Sequence, residues 1–214
     1  MLLEKRSYPE TIAALRLVRA GQIGDVVEIN STGPHKLMPS DRPDWFFEPE
    51  RYGGIIADLL THDIDLALLF ANVSAGTITG FTAGALPEYP DFALSGAVVI
   101  QAPGRLLLLE ANWLTPAASA VHGDYHMQLV GDRGVADLWW ARHQLLVTTA
   151  TSPTHAVELG EGYRPAQPAC EAYSRGEVPT IAGEDSFLAT RLALLAQQAT
   201  RAPGPPLAWQ RQTA

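Results

Sequence analysis

An aspartate and a histidine four positions apart, Asp58 and His62, are the residues in this chain best suited to move a proton. They lie in GGIIADLLTHDIDLALLF, residues 53–70. Laid on a helix, Asp58, Thr61, His62 and Asp65 fall within roughly a 100° arc, while most other directions carry Leu, Ile, Ala or Phe. Only Asp63 interrupts the apolar side. A helix apolar over most of its circumference is buried, and buried carboxylates and imidazoles cost several kcal/mol unless paired or facing a wet cavity. The polar stripe is therefore expected to line a cavity. In α-helical geometry the Asp58 carboxylate accepts a proton from one imidazole nitrogen and so sets which nitrogen is free for acid/base chemistry. The same pair also fits a satisfied structural hydrogen bond, or two ligands of a divalent ion lacking a third nearby in sequence.

The surrounding elements must hold that stripe. Residues 33–52 contain Pro34, Pro39, Pro43 and Pro49 with Trp45, Phe46 and Phe47, a loop unable to form long regular structure but able to wall a pocket. Lys36 and Trp45 lie in this loop, and Asp65 lies on the polar stripe that follows it. Gly53 and Gly54 permit a tight turn or close backbone approach before the helix. Upstream, Ser7 to Ala20 reads as a first helix, with Ser7 as cap, Glu10 closing a capping box and Gly21 ending it. Residues 25–32 read as a strand.

Downstream, six strands follow in close succession: 76–83, 92–101, 105–113, 125–130, 135–140 and 144–149, with a hairpin at GDRG, residues 131–134. Such short connections force mostly antiparallel pairing. Residues 153–183 are rich in turn formers, with a short helix around 168–174, and 185–200 read as a last amphipathic helix stopped by Pro203. The expectation is an α+β fold: a large open, mainly antiparallel sheet with helices on one face. Ile78, Phe81, Val98, Ile100, Leu107, Leu109 and Trp113 should fill one side. Val99, Leu106 and Leu108 make the other side apolar too, which suggests a homodimer or larger homo-oligomer.

The chain has 214 residues, 47% hydrophobic and 18% charged, and a formal net charge of -8. That suits one large domain with a real core and argues against a phosphate-binding nucleic-acid surface. Lys5 and Lys36 are the only lysines and Cys170 the only cysteine, which excludes an intramolecular disulfide and a cysteine-based zinc cluster. Cys170 reads as a small buried hydrophobe rather than a nucleophile. No apolar run reaches about eighteen residues. A soluble, cytoplasmic protein with no membrane or nucleic-acid partner is expected.

The sequence RSYPETIAALRLVRAGQIGDV, then W-F-F-E-P-E-R-Y-G-G-x-x-x-D-x-x-x-H-D-x-D, then GDRG, then GEVPTIAGEDSFLATRLALLAQQA, together resemble the C-terminal domain of the Gfo/Idh/MocA oxidoreductases. The resemblance implies an open sheet that packs on a sister subunit, behind an N-terminal Rossmann domain holding NAD or NADP. It also implies that His62 is the acid/base on a sugar or polyol hydroxyl, assisted by Asp58, with a lysine from a Glu-Lys-Pro motif of the Rossmann domain completing the site. If that role carries over, Lys36 and Trp45 are expected near His62, as a cation for polyol oxygens and an apolar wall for a sugar face, with Asp65 as a further substrate contact. Neither G-x-G-x-x-G nor Glu-Lys-Pro occurs here, and Glu4-Lys5-Arg6 falls where the family's second domain begins. A pyrophosphate needs glycine turns at a helix N-terminus. Residues 1–214 therefore read as one substrate-binding and oligomerisation domain, without the dinucleotide-binding domain and not binding NAD or NADP alone. The alternative is a stand-alone ligand-binding or dimerisation module without catalysis.

Overall fold

The computed structural model describes residues 3–177, 183–202 and 204–211. Its frame is a nine-stranded sheet in the order β8-β7-β6-β5-β1-β4-β3-β2-β9. The strands are β1 (Val26–Pro34), β2 (Ala75–Ala83), β3 (Ser95–Ala102), β4 (Arg105–Asn112), β5 (His126–Gly131), β6 (Gly134–Trp139), β7 (Gln144–Thr149), β8 (Ser152–Ala156) and β9 (Leu207–Gln210). Neighbours pair antiparallel except β1 and β4, which run parallel in the middle of the sheet. The sheet is thus mainly antiparallel in an α+β fold, as expected, but two short edge strands, β8 and β9, carry too few residues for an alternating pattern to stand out.

Five helical segments accompany the sheet: α1 (Pro9–Arg19), the single turn α2 (Pro49–Tyr52), α3 (Thr61–Ala71), α4 (Gln167–Ser174) and α5 (Gly183–Arg201). The hydrophobic core forms where Ile29, Ile78, Val98, Ile100, Leu107, Leu109, Met127, Leu129 and Leu138 of one sheet face meet Ala14, Leu17, Ile64, Leu66, Leu188 and Leu192 of the helices. Phe81 was expected on this face, yet it is 58% exposed on the other. Strand side chains alternate, and Phe81 lies an odd number of residues from Ile78. Leu106 and Leu108 share that outer face and stay exposed, and Val99 pairs with Leu108 across β3 and β4. No helix among the described residues is long and apolar enough to cross a membrane. Pro203 as a helix stop, and residues 178–182 of the turn-rich stretch, lie outside the described residues.

The first helix starts without the expected capping box. Tyr8 is its N-cap with no side-chain bond, the Ser7 hydroxyl donates to the Glu4 carbonyl at 2.6 Å, and Glu10 is buried and turned toward His143 Nδ1, 3.0 Å away. Ser7 belongs to a short 3-10 turn, Glu4–Ser7, that lies against α3. There Lys5 Nζ donates to both oxygens of Asp63, at 3.0 and 3.2 Å, and Ser31 Oγ of β1 donates to Asp63 Oδ1 at 2.8 Å. Asp63 is 1% exposed. The lone charge on the apolar side of the helix is the one that joins the N-terminal turn, α3 and the central strand. Asp63→Ala should lower unfolding free energy by about 3–5 kcal/mol, because it leaves a buried ammonium unpaired. Lys5→Met with Asp63→Leu should recover most of that loss, and urea denaturation of both variants measures it.

Candidate functional site

The site begins where α2 ends. Gly53 and Gly54 take φ of +85° and +102°, and a Cβ on Gly54 would lie 2.4 Å from the Gln197 side-chain amide. That close approach lets the Gln197 carbonyl oxygen accept from Ile56 N at 3.0 Å, tying the start of the helix to α5. Residues Ile56–Leu60 then form a π-helical turn before α3 proper. The wider turn breaks the phase relation that places residues four apart over one another.

The expected Asp58–His62 hydrogen bond is accordingly not made. Asp58 Oδ2 instead accepts from the Tyr52 hydroxyl at 3.1 Å, and that hydroxyl accepts from Trp113 Nε1 at 3.2 Å. Burial, then the Asp58 charge, raises the Tyr52 pKa, so the phenol stays a donor. Asp58 keeps contact with solvent, but crowding by its neighbours desolvates it and raises its carboxyl above the ordinary range; the Tyr52 bond and the Arg42 and His62 charges oppose this. His62 Nδ1 is shielded from solvent and lies 3.4 Å from Glu4 Oε2, without a well-formed hydrogen bond. The His62 side chain is 23% exposed. Glu4, rather than Asp58, is the carboxylate within ion-pair distance of the ring, on its Nδ1 side.

The other expected contacts divide. Thr61 is fully buried and donates to the Ala57 carbonyl at 2.7 Å, so its hydroxyl is already used within the helix. Asp65, expected to touch substrate, is 2% exposed and has both oxygens engaged by the Arg6 guanidinium, Nε donating at 2.6 Å. It faces a separate cavity of about 450 Å³ shared with Arg6, Asp185 and Arg211. Lys36 is half-buried, its ammonium donating to the Ser119 carbonyl. Trp45 is 41% exposed and sits edge-on to Phe46 at 6.2 Å. Cys170, expected to be buried, is exposed on α4. Among the described residues no group of three His, Cys, Asp or Glu could hold a metal ion.

Sequence reasoning passed over Glu4, Arg42, Tyr52 and Trp113. Tyr52 stands inside the quoted run from Trp45 to Asp65, just before Gly53-Gly54, so its place is readable even though its role is not. Arg42 stacks on Phe46 and Trp113, with its guanidinium carbon 4.6 and 5.2 Å from the ring centroids.

The profile of the GFO/IDH/MocA C-terminal domain matches residues 11–137. The chain belongs to that family. Among solved structures, this Gfo/Idh/MocA-type domain superposes on a Thermotoga maritima protein provisionally described as an oxidoreductase, with a TM-score of 0.87 and 21% identity, covering 96% of this chain and 62% of that one. A similarly described protein from Erwinia carotovora atroseptica gives 0.81 and 25%, covering 91% and 61%. Levoglucosan dehydrogenase in complex with NADH and L-sorbose gives 0.81 and 16%, covering 99% and 65%. The domain thus spans less than two thirds of the length of these neighbours. No curated protein matches it.

One titration test follows for the domain. A carboxyl whose folded pKa is raised gives stability that is present below its unfolded pKa and lost as pH rises through the folded one; the Asp58 side chain is exposed, so solvent screening keeps the cost of its ionisation at neutral pH small. Asp58→Asn should therefore melt at a slightly higher temperature than wild type at pH 7, and the difference should shrink toward pH 4. Thermal melts across that range check it, and equal melting at pH 7 would contradict the desolvated carboxylate.

Proposed function

We propose that this domain is the substrate-binding part of an NAD(P)-dependent oxidoreductase acting on a hydroxyl of a sugar, polyol or related compound. The observation that carries the proposal is the placement of two groups along one helix: a part-exposed His62 with Glu4 3.4 Å from its Nδ1, and Asp58 held by the Tyr52–Trp113 chain. A part-exposed imidazole with a carboxylate facing its Nδ1 side suits a general base that takes the hydroxyl proton through Nε2 during alcohol oxidation. Asp58 accepts a neighbouring hydroxyl, and Tyr52 keeps it aimed. Trp45, on the Pro-rich loop, offers an aromatic face to sugar C–H groups. The levoglucosan dehydrogenase structures, which carry NADH with levoglucosan or L-sorbose, support the substrate class through a shared fold.

The described residues do not suit the dinucleotide. β1 and β4 are the only parallel pair among the described strands, and no glycine-rich turn leads from a parallel strand into a helix N-terminus as a pyrophosphate requires. In this reading the cofactor sits on a Rossmann domain supplied in cis or in trans. With that domain supplied and NAD or NADP present, His62→Ala should lower turnover of a sugar or polyol by roughly a hundredfold or more. Unchanged turnover in His62→Ala would make the helix stripe structural and remove the proposal.

The exposed outer face of the sheet completes the reading. Phe81, Leu106 and Leu108 stand on neighbouring strands with Val99 between them, a surface suited to a second copy of the chain. Sedimentation should give a dimer at concentrations on the order of tens of micromolar, and Leu108→Arg should shift it to monomer. A wild-type chain that sediments only as monomer would contradict this part of the proposal.

A further inference from the structure

Arg42 is built as a recognition fork without a described partner. It follows a short 3-10 turn, Pro39–Asp41, and its Nε donates to the Leu37 carbonyl at 3.1 Å. Phe46 and Trp113 hold the plane of the guanidinium by stacking. Arg42 is one of seven arginines with no carboxylate partner among the described residues, and of those seven it is the one whose guanidinium lies over aromatic rings. Its terminal nitrogens are left for something outside the described chain, in a protein whose acidic residues outnumber its basic ones 23 to 15.

The neighbourhood reinforces a positive wall. Thr115 N donates to the His35 carbonyl at 3.1 Å and Lys36 N to the His122 carbonyl at 3.0 Å, which binds the loop after β4 to the end of β1. The His35 and His122 rings lie 5.5 Å apart, and His35 lies edge-on to Trp113 at 5.4 Å. Burial first, then the Arg42 and Lys36 charges, lower the His122 pKa. Burial likewise lowers that of His35, to about 4, so His35 is neutral at pH 7. Two fixed cations, Arg42 and Lys36, therefore flank the surface that continues through Trp113 and Tyr52 to Asp58. The acids nearest in sequence are exposed: Asp41, bonded to Ser40, and Asp44.

A neutral polyol has no need of such a fork. A planar guanidinium fixed by stacking, with two parallel N–H edges open, matches a carboxylate bidentately, and Lys36 adds attraction without needing to touch. Resting on the reading of His62 and Asp58 given above, we propose that the substrate is a sugar acid, a polyhydroxy carboxylate whose carboxylate seats on Arg42 while its hydroxyls reach toward Asp58 and His62. Arg42 then sets specificity and takes no part in the proton transfer.

Binding to the 214-residue chain tests this directly, with D-glucuronate and D-gluconate compared by calorimetry against D-glucose, D-glucitol and D-glucose 6-phosphate. The acids should bind about tenfold or more tighter than their neutral counterparts, the scale of a charged hydrogen-bonded pair. Arg42→Gln should remove that preference, and Arg42→Lys should restore only part of it, with circular dichroism checking that both variants fold. Equal affinity for acid and neutral sugars, a preference that survives Arg42→Gln, tighter binding of glucose 6-phosphate than of either acid, or no binding of the acids would each overturn the sugar-acid assignment. The proton-transfer reading is judged separately by turnover of His62→Ala, so neutral sugars turned over through His62 with Arg42 silent would leave it standing.

Discussion

Two nearly dry carboxylates on α3, Asp63 and Asp65, set the terms for the rest of the molecule. Removing an ion from water costs several kcal/mol even after relaxation, so each must be met by a charge of good geometry or the helix cannot pack against the sheet. The partners come from one turn: Lys5 meets Asp63 and Arg6 meets Asp65, while Glu4 approaches His62. Three consecutive N-terminal residues thus read three positions of the helix in order. Even with Arg6 bound, burial keeps the Asp65 carboxyl above its ordinary range, a sign of how fully the pair has been desolvated. Lys5 is further enclosed by the rings of Tyr125 and Trp140, each about 5 Å away, so the charge is surrounded by aromatic faces rather than by water.

This arrangement explains why an apolar helix can carry so many charges. A polar stripe on an otherwise hydrophobic helix suggested one cavity; the fold instead divides the stripe among three surroundings. Asp58 faces the Pro-rich loop, His62 faces the N-terminal turn, and Asp65 faces Arg6 and a cavity on its far side. Periodicity alone assigns residues to a face of a helix, but it cannot say how many different neighbours that face will meet.

The legible and illegible parts of the sequence follow the same division. The six long strands, the GDRG hairpin and the last helix were readable because alternation, turn residues and apolar periodicity are local signals. The parallel placement of β1 beside β4 was not, since it depends on contacts between residues about eighty positions apart. Ser7 and Glu10 had the types of a capping box, but Glu10 found His143 and Ser7 joined the preceding turn, so tertiary partners won over local capping. Asp58 and His62 were the right kinds of residue on the right helix, yet their mutual bond depended on the assumption of uniform α geometry. Nothing in IADLL announces a π turn. Glu4, Lys5 and Arg6 looked like an ordinary charged start because their partners lie almost sixty residues away.

The π turn acts as a phase slip in a shaft. Residues before it are indexed to the loop and to Tyr52; residues after it are indexed to Lys5, Arg6 and β1. Removing one residue from that turn would restore regular winding and rotate the downstream helix by about 100° relative to the upstream part. Asp63 would then swing off Lys5 and Ser31, or else Asp58 would leave Tyr52, since the two halves could no longer be correctly aimed together. The single surplus residue is what allows one rigid rod to present a reactive end and an anchored end in directions that an ideal helix would forbid.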